Sequence, residues 1–237
     1  MGLAYRNILP IRGTKTNRFS IIIPAAGMGL RMKSYGVKSL ISLTPNVNLI
    51  THQLSIIRKT FVNSEIILVV GFEADKLIQK TPNDIIKIEN EKYETTNVAR
   101  SIGIGLNAAT SENVLIIYGD LVFNDKALRI PLTESLLIID KNTMVGDEVG
   151  CSVNDNRVDI LSYELPQKWA QIVYLKNKEL DLMRRICCNR LHDNLYGFEI
   201  INKVIDSGGT FLAYQPDKIK INDIDSSKDL LTIRSIL

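Results

Sequence analysis

The chain reads as an α/β protein built on a doubly wound, mixed but mainly parallel sheet, and three observations carry that reading. The apolar run Ile21-Ile22-Ile23 leads into Pro24-Ala25-Ala26-Gly27-Met28-Gly29, a strand followed by a glycine-bearing turn. Short β-branched runs then alternate with stretches whose apolar residues recur at helical spacing, the pattern of strands joined by right-handed crossovers. A further apolar run, Val114 to Tyr118, ends in Gly119-Asp120, which puts an acid at the carboxyl end of a buried strand, where ligands of such sheets sit.

The elements follow in order. Residues 1–18 are polar, basic and aperiodic, and read as a flexible lead-in to a strand at Phe19 to Pro24. Leu49, Ile50, Leu54, Ile56 and Ile57 make Asn48 to Lys59 a helix, and Glu65 to Val70 is a β-branched strand. Gly71-Phe72 turns the chain into a short helix at Ala74 to Gln79, a strand is expected at Ile85 to Ile88, and a helix at Asn97 to Ala109. Beyond Phe123 the texture changes. Leu136 to Ile139, Glu148 to Val153, Arg157 to Tyr163 and Gln171 to Leu175 read as short strands, and about 132–176 as a small β-rich insertion walling one side of a cleft. Helical spacing returns at Glu179 to Arg185 and Asn194 to Val204, a strand is expected at Thr210 to Tyr214, and a helix from Ser226. No repeat or linker divides residues 19–237, so one Rossmann-like domain is expected.

Composition narrows the function. With 237 residues, 45% of them hydrophobic, the chain can bury a full core. Its net charge of +3 is small, with Lys and Arg scattered among Asp and Glu, so no nucleic-acid partner is called for. No apolar run approaches the roughly 20 residues that span a bilayer, and the N-terminus shows no leader pattern, so a cytoplasmic protein without a membrane partner is expected. Cys151, Cys187 and Cys188 fit reduced thiols rather than a disulfide framework or a zinc site.

The glycine turn suits a chain of phosphates. Gly27 and Gly29 can take positive φ and carry no Cβ, so the loop amides can approach phosphate oxygens, while Arg31 and Lys38 supply charge. The loop lacks the Gly-Lys-Ser/Thr ending of a Walker loop, and Met32 replaces the third glycine of a dinucleotide fingerprint. Asp120, together with the distant acidic turn Ile221-Asn222-Asp223-Ile224-Asp225, is what a divalent cation held by carboxylates and phosphate oxygens needs, although Asp225 or Ser226 would serve equally as a helix cap.

These residues resemble the nucleotidyltransferases that activate sugar 1-phosphates, phosphocholine and related phosphate monoesters, the MobA-like NTP transferases with a glycosyltransferase-A-like fold. The resemblance spans nearly all of residues 19–237. It is carried by Ala25-Ala26-Gly27-Met28-Gly29-Leu30-Arg31-Met32 with Lys38, by Val69-Val70-Gly71-Phe72, by Thr95-Thr96-Asn97 and by Gly119-Asp120-Leu121-Val122-Phe123. The ending Asp223-Ile224-Asp225-Ser226-Ser227-Lys228-Asp229-Leu230 belongs to it too. Glu148-Val149-Gly150, Asp155-Asn156-Arg157-Val158 and Lys168-Trp169-Ala170 look like the short members that include phosphocholine cytidylyltransferases. The chain departs from the family at Leu30, where Thr or Ser is usual, and at Val37, where Pro is usual.

The resemblance implies that a phosphate monoester attacks the α-phosphorus of a nucleoside triphosphate and displaces pyrophosphate. An acceptor phosphate is already anionic, so alignment and charge neutralisation suffice without a general base. It implies catalytic roles for Arg31, Lys38 and Asp120. Ala25, Ala26, Gly27, Gly29, Arg31, Gly71 and Asn97 would bind the nucleotide, and Ser101, Lys168, Trp169 and Tyr196 the acceptor. Mg²⁺ would sit on Asp120 and Asp225, with Asp223 in reserve. His52 falls in an apolar helical pattern and reads as structural, whereas His192 is a candidate for the acceptor side. CTP is the favoured triphosphate, with UTP or dTTP next, and a homodimer is left open. The competing classes are a glycosyltransferase, which would want Asp-x-Asp where the chain has Asp120-Leu121-Val122, and a non-catalytic nucleotide-sensing domain, which Leu30 and Val37 keep in view.

Overall fold

Alternation along the first strand sets the layers. The computed structural model describes residues 18–29, 36–141 and 148–225, together with Asp229, Ile233 and Ile236. In it β1 (Ser20–Pro24) sends Ile21 and Ile23 into one apolar layer and Ile22 into the other, all three fully buried. A strand covered on both faces reads as an unbroken apolar run, which is why this one was visible in the sequence.

From β1 the chain runs through a 3-10 turn at Lys38–Leu40 into a small antiparallel ribbon, β2 (Ser42–Thr44) and β3 (Val47–Asn48), and then into α1 (Leu49–Thr60). The Asn48 side chain caps α1 by accepting from the Thr51 amide at 2.9 Å. Next come β4 (Glu65–Val70), α2 (Ala74–Gln79), β5 (Ile86–Glu89), α3 (Val98–Ala108), β6 (Asn113–Ile117) and β7 (Leu121–Phe123). The later strands are β8 (Leu136–Asp140), β9 (Val149–Asn154), β10 (Arg157–Tyr163) and β11 (Gln167–Lys176), followed by α4 (Asn177–Cys188), α5 (Gly197–Asp206), β12 (Leu212–Tyr214) and β13 (Ile221–Asp223).

Nine of these strands form one mixed sheet in the order β5-β4-β1-β6-β11-β8-β12-β10-β9. The β5-β4-β1-β6 half is parallel, β6 then pairs antiparallel with β11, and β9 pairs with both β10 and β11, which curls that end towards closure. The segment 132–176 supplies β8 to β11 of this same sheet. Residues of α1 and α2 pack into the layer of Ile21 and Ile23, and those of α3, α4 and α5 into the layer of Ile22. Gly105 lets α3 lie close on β1, because a Cβ there would stand 2.4 Å from Ile22 Cγ2.

Two differences from the sequence reading bear on function. The strand expected at Gln171 to Leu175 begins four residues earlier, because Gln171, at φ 56°, breaks the pairing register between Trp169 and Val173 and the strand resumes before it. β7 and β13 pair antiparallel, with Leu121 opposite Asp223 and Val122 opposite Asn222, which brings two acidic turns about a hundred residues apart into contact. Residues 1–17 of the expected lead-in, and nearly all of the helix expected from Ser226, lie outside the described residues.

Candidate functional site

β1 sits between β4 and β6, and the loops leaving β1 and β6 open a cleft of 440 Å³ at the carboxyl ends of these parallel strands. Ala25, Ala26, Gly27 and Gly29 line it from the first loop, with Gly29 at φ 55°, the left-handed conformation expected of that glycine. Lys38 follows on the 3-10 turn, and its side chain packs against Gly29, where a Cβ would meet Lys38 Cγ at 3.0 Å. Gly71 stands behind this wall. A Cβ there would come within 2.8 Å of Ala26, and the Phe72 amide donates to the Ala26 carbonyl at 3.1 Å, so the Gly71 turn braces the loop. Leu30 and Arg31 lie outside the described residues.

Charge concentrates where β6 ends. Lys38 Nζ donates to Asp225 Oδ1 at 2.6 Å and stands 3.5 Å from Asp120 Oδ2, so one ammonium bridges both acidic turns. The other Asp120 oxygen, Oδ1, is buried without a hydrogen-bond partner. Burial raises the Asp120 carboxyl above the ordinary carboxylate range; Lys38 offsets part of that rise, and Asp223 and Asp225 add to it. Burial alone would lower the Lys38 ammonium, yet Asp120 and Asp225 hold it above its ordinary value. A second ammonium repeats the arrangement, with Lys168 Nζ 2.5 Å from Glu148 Oε1 and 3.2 Å from Asp223 Oδ1. Its pKa too is raised, the two carboxylates outweighing the effect of burial.

Hard carboxylate oxygens around an unpartnered buried Asp120 Oδ1 fit a Mg²⁺ ion. Among the described residues, however, no group of three or more His, Cys, Asp or Glu is placed to hold a metal by itself. Asp120 and Asp225 would therefore share a cation with oxygens from a phosphorylated ligand.

The far wall is aromatic. Trp169, nearly buried, meets Tyr118 edge-on with ring centroids 5.6 Å apart. Burial, Asp120 and Cys187 together push the Tyr118 phenol well up. Tyr196 stacks on Phe198 at 6.0 Å, and Tyr163 packs edge-on against Phe198 at 5.5 Å. Asn97 and Ser101 reach the cleft from the first turn of α3, but both have structural bonds: Asn97 Oδ1 accepts from the Val98 amide at 2.8 Å, and Ser101 Oγ accepts from Asn90 Nδ2 at 3.3 Å.

The cleft thus gathers Ala25, Ala26, Gly27, Gly29, Lys38, Asn97, Ser101, Asp120, Lys168, Trp169, Tyr196 and Asp225. His192 is not on its lining; its Nδ1 bonds the Ile186 carbonyl at 2.8 Å, so the acceptor-side role considered for it has no geometric support. His52 makes the structural contact expected of it, to the Phe123 carbonyl at 2.8 Å. Asp223, held in reserve as a cation ligand, instead faces Lys168, and Glu148 opposite that lysine and the aromatic group of Tyr163 and Phe198 were not read as site residues from the sequence. Each comes from a strand or helix terminus whose neighbours only pairing reveals. Among the described residues no helix is long and apolar enough to cross a membrane.

The model of the MobA-like NTP transferase domain matches residues 21–158. No curated protein matches the sequence. The fold is shared with the CTP:phosphocholine cytidylyltransferase of Streptococcus pneumoniae at TM-score 0.75 and 19% identity, over 93% of this chain and 99% of that one. It is shared equally with the inositol-1-phosphate CTP transferase of T. maritima, at TM-score 0.75 and 18% identity over 93% and 96% of the two chains. A putative glucose-1-phosphate thymidylyltransferase from Bacillus anthracis follows at TM-score 0.71 and 12% identity, over 92% and 94%. With more than half its length matched by the family model, the chain belongs to the MobA-like NTP transferases and is a nucleotidyltransferase.

Proposed function

We propose that the chain joins a nucleoside triphosphate, CTP before UTP or dTTP, to a small phosphate monoester such as phosphocholine, a phosphonate or a sugar 1-phosphate, releasing pyrophosphate in a Mg²⁺-dependent reaction. The observation that carries this reading is Lys38 bridging Asp120 and Asp225 beside the glycine turn, a cation and two carboxylates on the lining of one cleft. The preference for CTP rests on the two cytidylyl-transferring proteins that share the fold.

In this reading an oxygen of the acceptor phosphate attacks the α-phosphorus, a new P–O bond forms, and the bond to the β-phosphate breaks with its electron pair leaving on pyrophosphate. The amides at Gly27 and Gly29, with Arg31, hold the triphosphate. Lys38 turns from its aspartates to the phosphates in transit, where a fixed cation stabilises charge that develops at transfer. Asp120 and Asp225 would hold Mg²⁺, which when bound would supply positive charge to offset that of the reacting phosphates. Lys168 takes the acceptor phosphate, and Trp169 and Tyr196 enclose the rest of the acceptor, a wall that suits a quaternary amine by cation–π attraction. Asn97 and Ser101 orient the substrates from the start of α3.

The test is pyrophosphate release with Mg²⁺ across CTP, UTP, dTTP, ATP and GTP, each against phosphocholine, aminoethylphosphonate, glycerol phosphate and a set of sugar 1-phosphates. The reading expects release only when one triphosphate and one acceptor are present together. Silence across the set with nucleotide demonstrably bound would favour a sensing domain.

A further inference from the structure

The strand end that carries Asp120 is held by two side chains: Gln53, which is not on the cleft lining, and Ser39, which stands on it beside Lys38. Gln53, fully buried in α1, donates from Nε2 to the Tyr118 carbonyl at 2.9 Å and to the Leu121 carbonyl at 2.7 Å, the peptide groups on either side of Gly119-Asp120. Ser39, the residue after Lys38, donates from Oγ to the Gly119 carbonyl at 2.9 Å. The Asp120 carbonyl accepts from the amide of Ile224, the neighbour of Asp225, at 3.0 Å. Every carbonyl from Tyr118 to Leu121 therefore has a donor, and those donors tie the turn to α1, to the Lys38 turn and to the Asp225 turn at once. The amide orientation of Gln53 is dictated by its surroundings, because a flipped group would set Oε1 against two carbonyl oxygens.

We infer that Gln53 is a positioning residue that, through the Tyr118 and Leu121 carbonyls, sets where Asp120 stands relative to Lys38 and Asp225, with Ser39 completing the clamp. The inference rests on the reading of Asp120 and Asp225 as cation ligands. Buried side chains that fix an ordinary loop matter only to folding. Here both donors converge on the four-residue turn that bears the carboxylate, and Gln53 leaves its own Oε1 without a partner while doing so, so its amide serves the turn rather than its own satisfaction. Groups that orient a ligand in this manner typically change metal affinity by about 10- to 100-fold when removed.

The experiment is titration of nucleotide-free protein with Mn²⁺, followed by the spectrum of the free ion, at a temperature where circular dichroism shows each variant folded. Gln53→Met keeps the length and removes both donors; it is expected to weaken Mn²⁺ binding by about tenfold, with Ser39→Ala shifting in the same direction. Leu54→Ala opens a cavity beneath the same helix without removing either donor to the turn, and is expected to lower the melting temperature while leaving Mn²⁺ affinity alone. Wild-type affinity in Gln53→Met, or an equal loss in Leu54→Ala, would overturn the inference. Should Gln53→Met fail to fold, Ser39→Ala against Leu54→Ala decides by the same criterion. Asp120→Asn separates the two layers of the argument. If it too keeps wild-type affinity, the assignment of the cation to Asp120 fails and the inference fails with it; if it abolishes binding while the clamp variants do not, only the inference is lost.

Discussion

In the ligand-free protein Lys38 serves as the counter-ion of two aspartates, and replacing it by methionine should move three observables in a pattern that no simple loss of structure would give. The ammonium lies 2.6 Å from Asp225 and 3.5 Å from Asp120. At an effective dielectric near 20, unit charges about 4 Å apart interact by roughly 4 kcal/mol, and the Asp225 side chain is 44% exposed, so screening and rehydration return much of that. A net loss of about 1–2 kcal/mol in stability is expected for Lys38→Met, read by calorimetry. The same energy opposes any divalent cation that must displace the ammonium, so nucleotide-free Lys38→Met should bind Mn²⁺ about tenfold more tightly. Turnover should nonetheless fall by about 10²- to 10³-fold, because the cation that neutralises the phosphates in transit is gone. Lys33→Met, outside the described residues, is the comparison and should change turnover little. Unchanged or weaker Mn²⁺ binding in Lys38→Met, or a turnover close to wild type, would refute the argument.

Asp120→Asn and Asp225→Asn should each lower turnover by about 10²-fold or more while costing no more stability than the about 1–2 kcal/mol expected of Lys38→Met, since burial already disfavours the ionised form of Asp120 and the Asp225 side chain is 44% exposed. Gly197→Ala would place a Cβ 1.7 Å from Tyr118 Oη and should destabilise by about 1–3 kcal/mol by calorimetry. Adding Tyr118→Phe removes that oxygen and should return part of the loss, because the ring carbon stands 3.0 Å away. Cys188 is exposed, whereas burial lifts the thiols of Cys151 to about 11 and Cys187 to about 12. A disulfide reagent at pH 8 should therefore label one thiol quickly and the other two only on unfolding. Because the unfolded thiols ionise near their ordinary value of 9.0 and the buried ones do not, stability should fall as pH rises from 9.0 towards 11.

The central parallel strands β4, β1 and β6 were legible because they are buried on both faces. Ile21 to Ile23 and Glu65 to Val70 stand out as apolar runs, and their helices carry regular spacing. The same logic marked Asp120, since a single acid after such a run is conspicuous. Pairing was not legible. β7 and β13 are three residues each, and nothing local in Leu121-Val122-Phe123 or Ile221-Asn222-Asp223 announces that they meet, yet that meeting sets Asp120 beside Asp225. The start of β11 was hidden for a related reason, because Gln167-Lys168 looks like a polar turn until the bulge at Gln171 is taken into account. Gln53 gave no signal either, being one polar residue in an amphipathic helix whose partners are backbone carbonyls 65 and 68 positions away.

The measurement that tests the central claim most directly is a phosphorus NMR spectrum of the protein with Mg²⁺, CTP and phosphocholine, followed over time. Transfer of a cytidylyl group requires pyrophosphate and a new diphosphate diester to appear together in equal amounts, and neither to form when phosphocholine is left out; if this pair is inert, the same spectrum is taken for the active pair from the substrate panel. Inorganic phosphate with CDP, or pyrophosphate with CMP and no diester, would mean that the site cleaves the nucleotide without transferring it and would contradict the account.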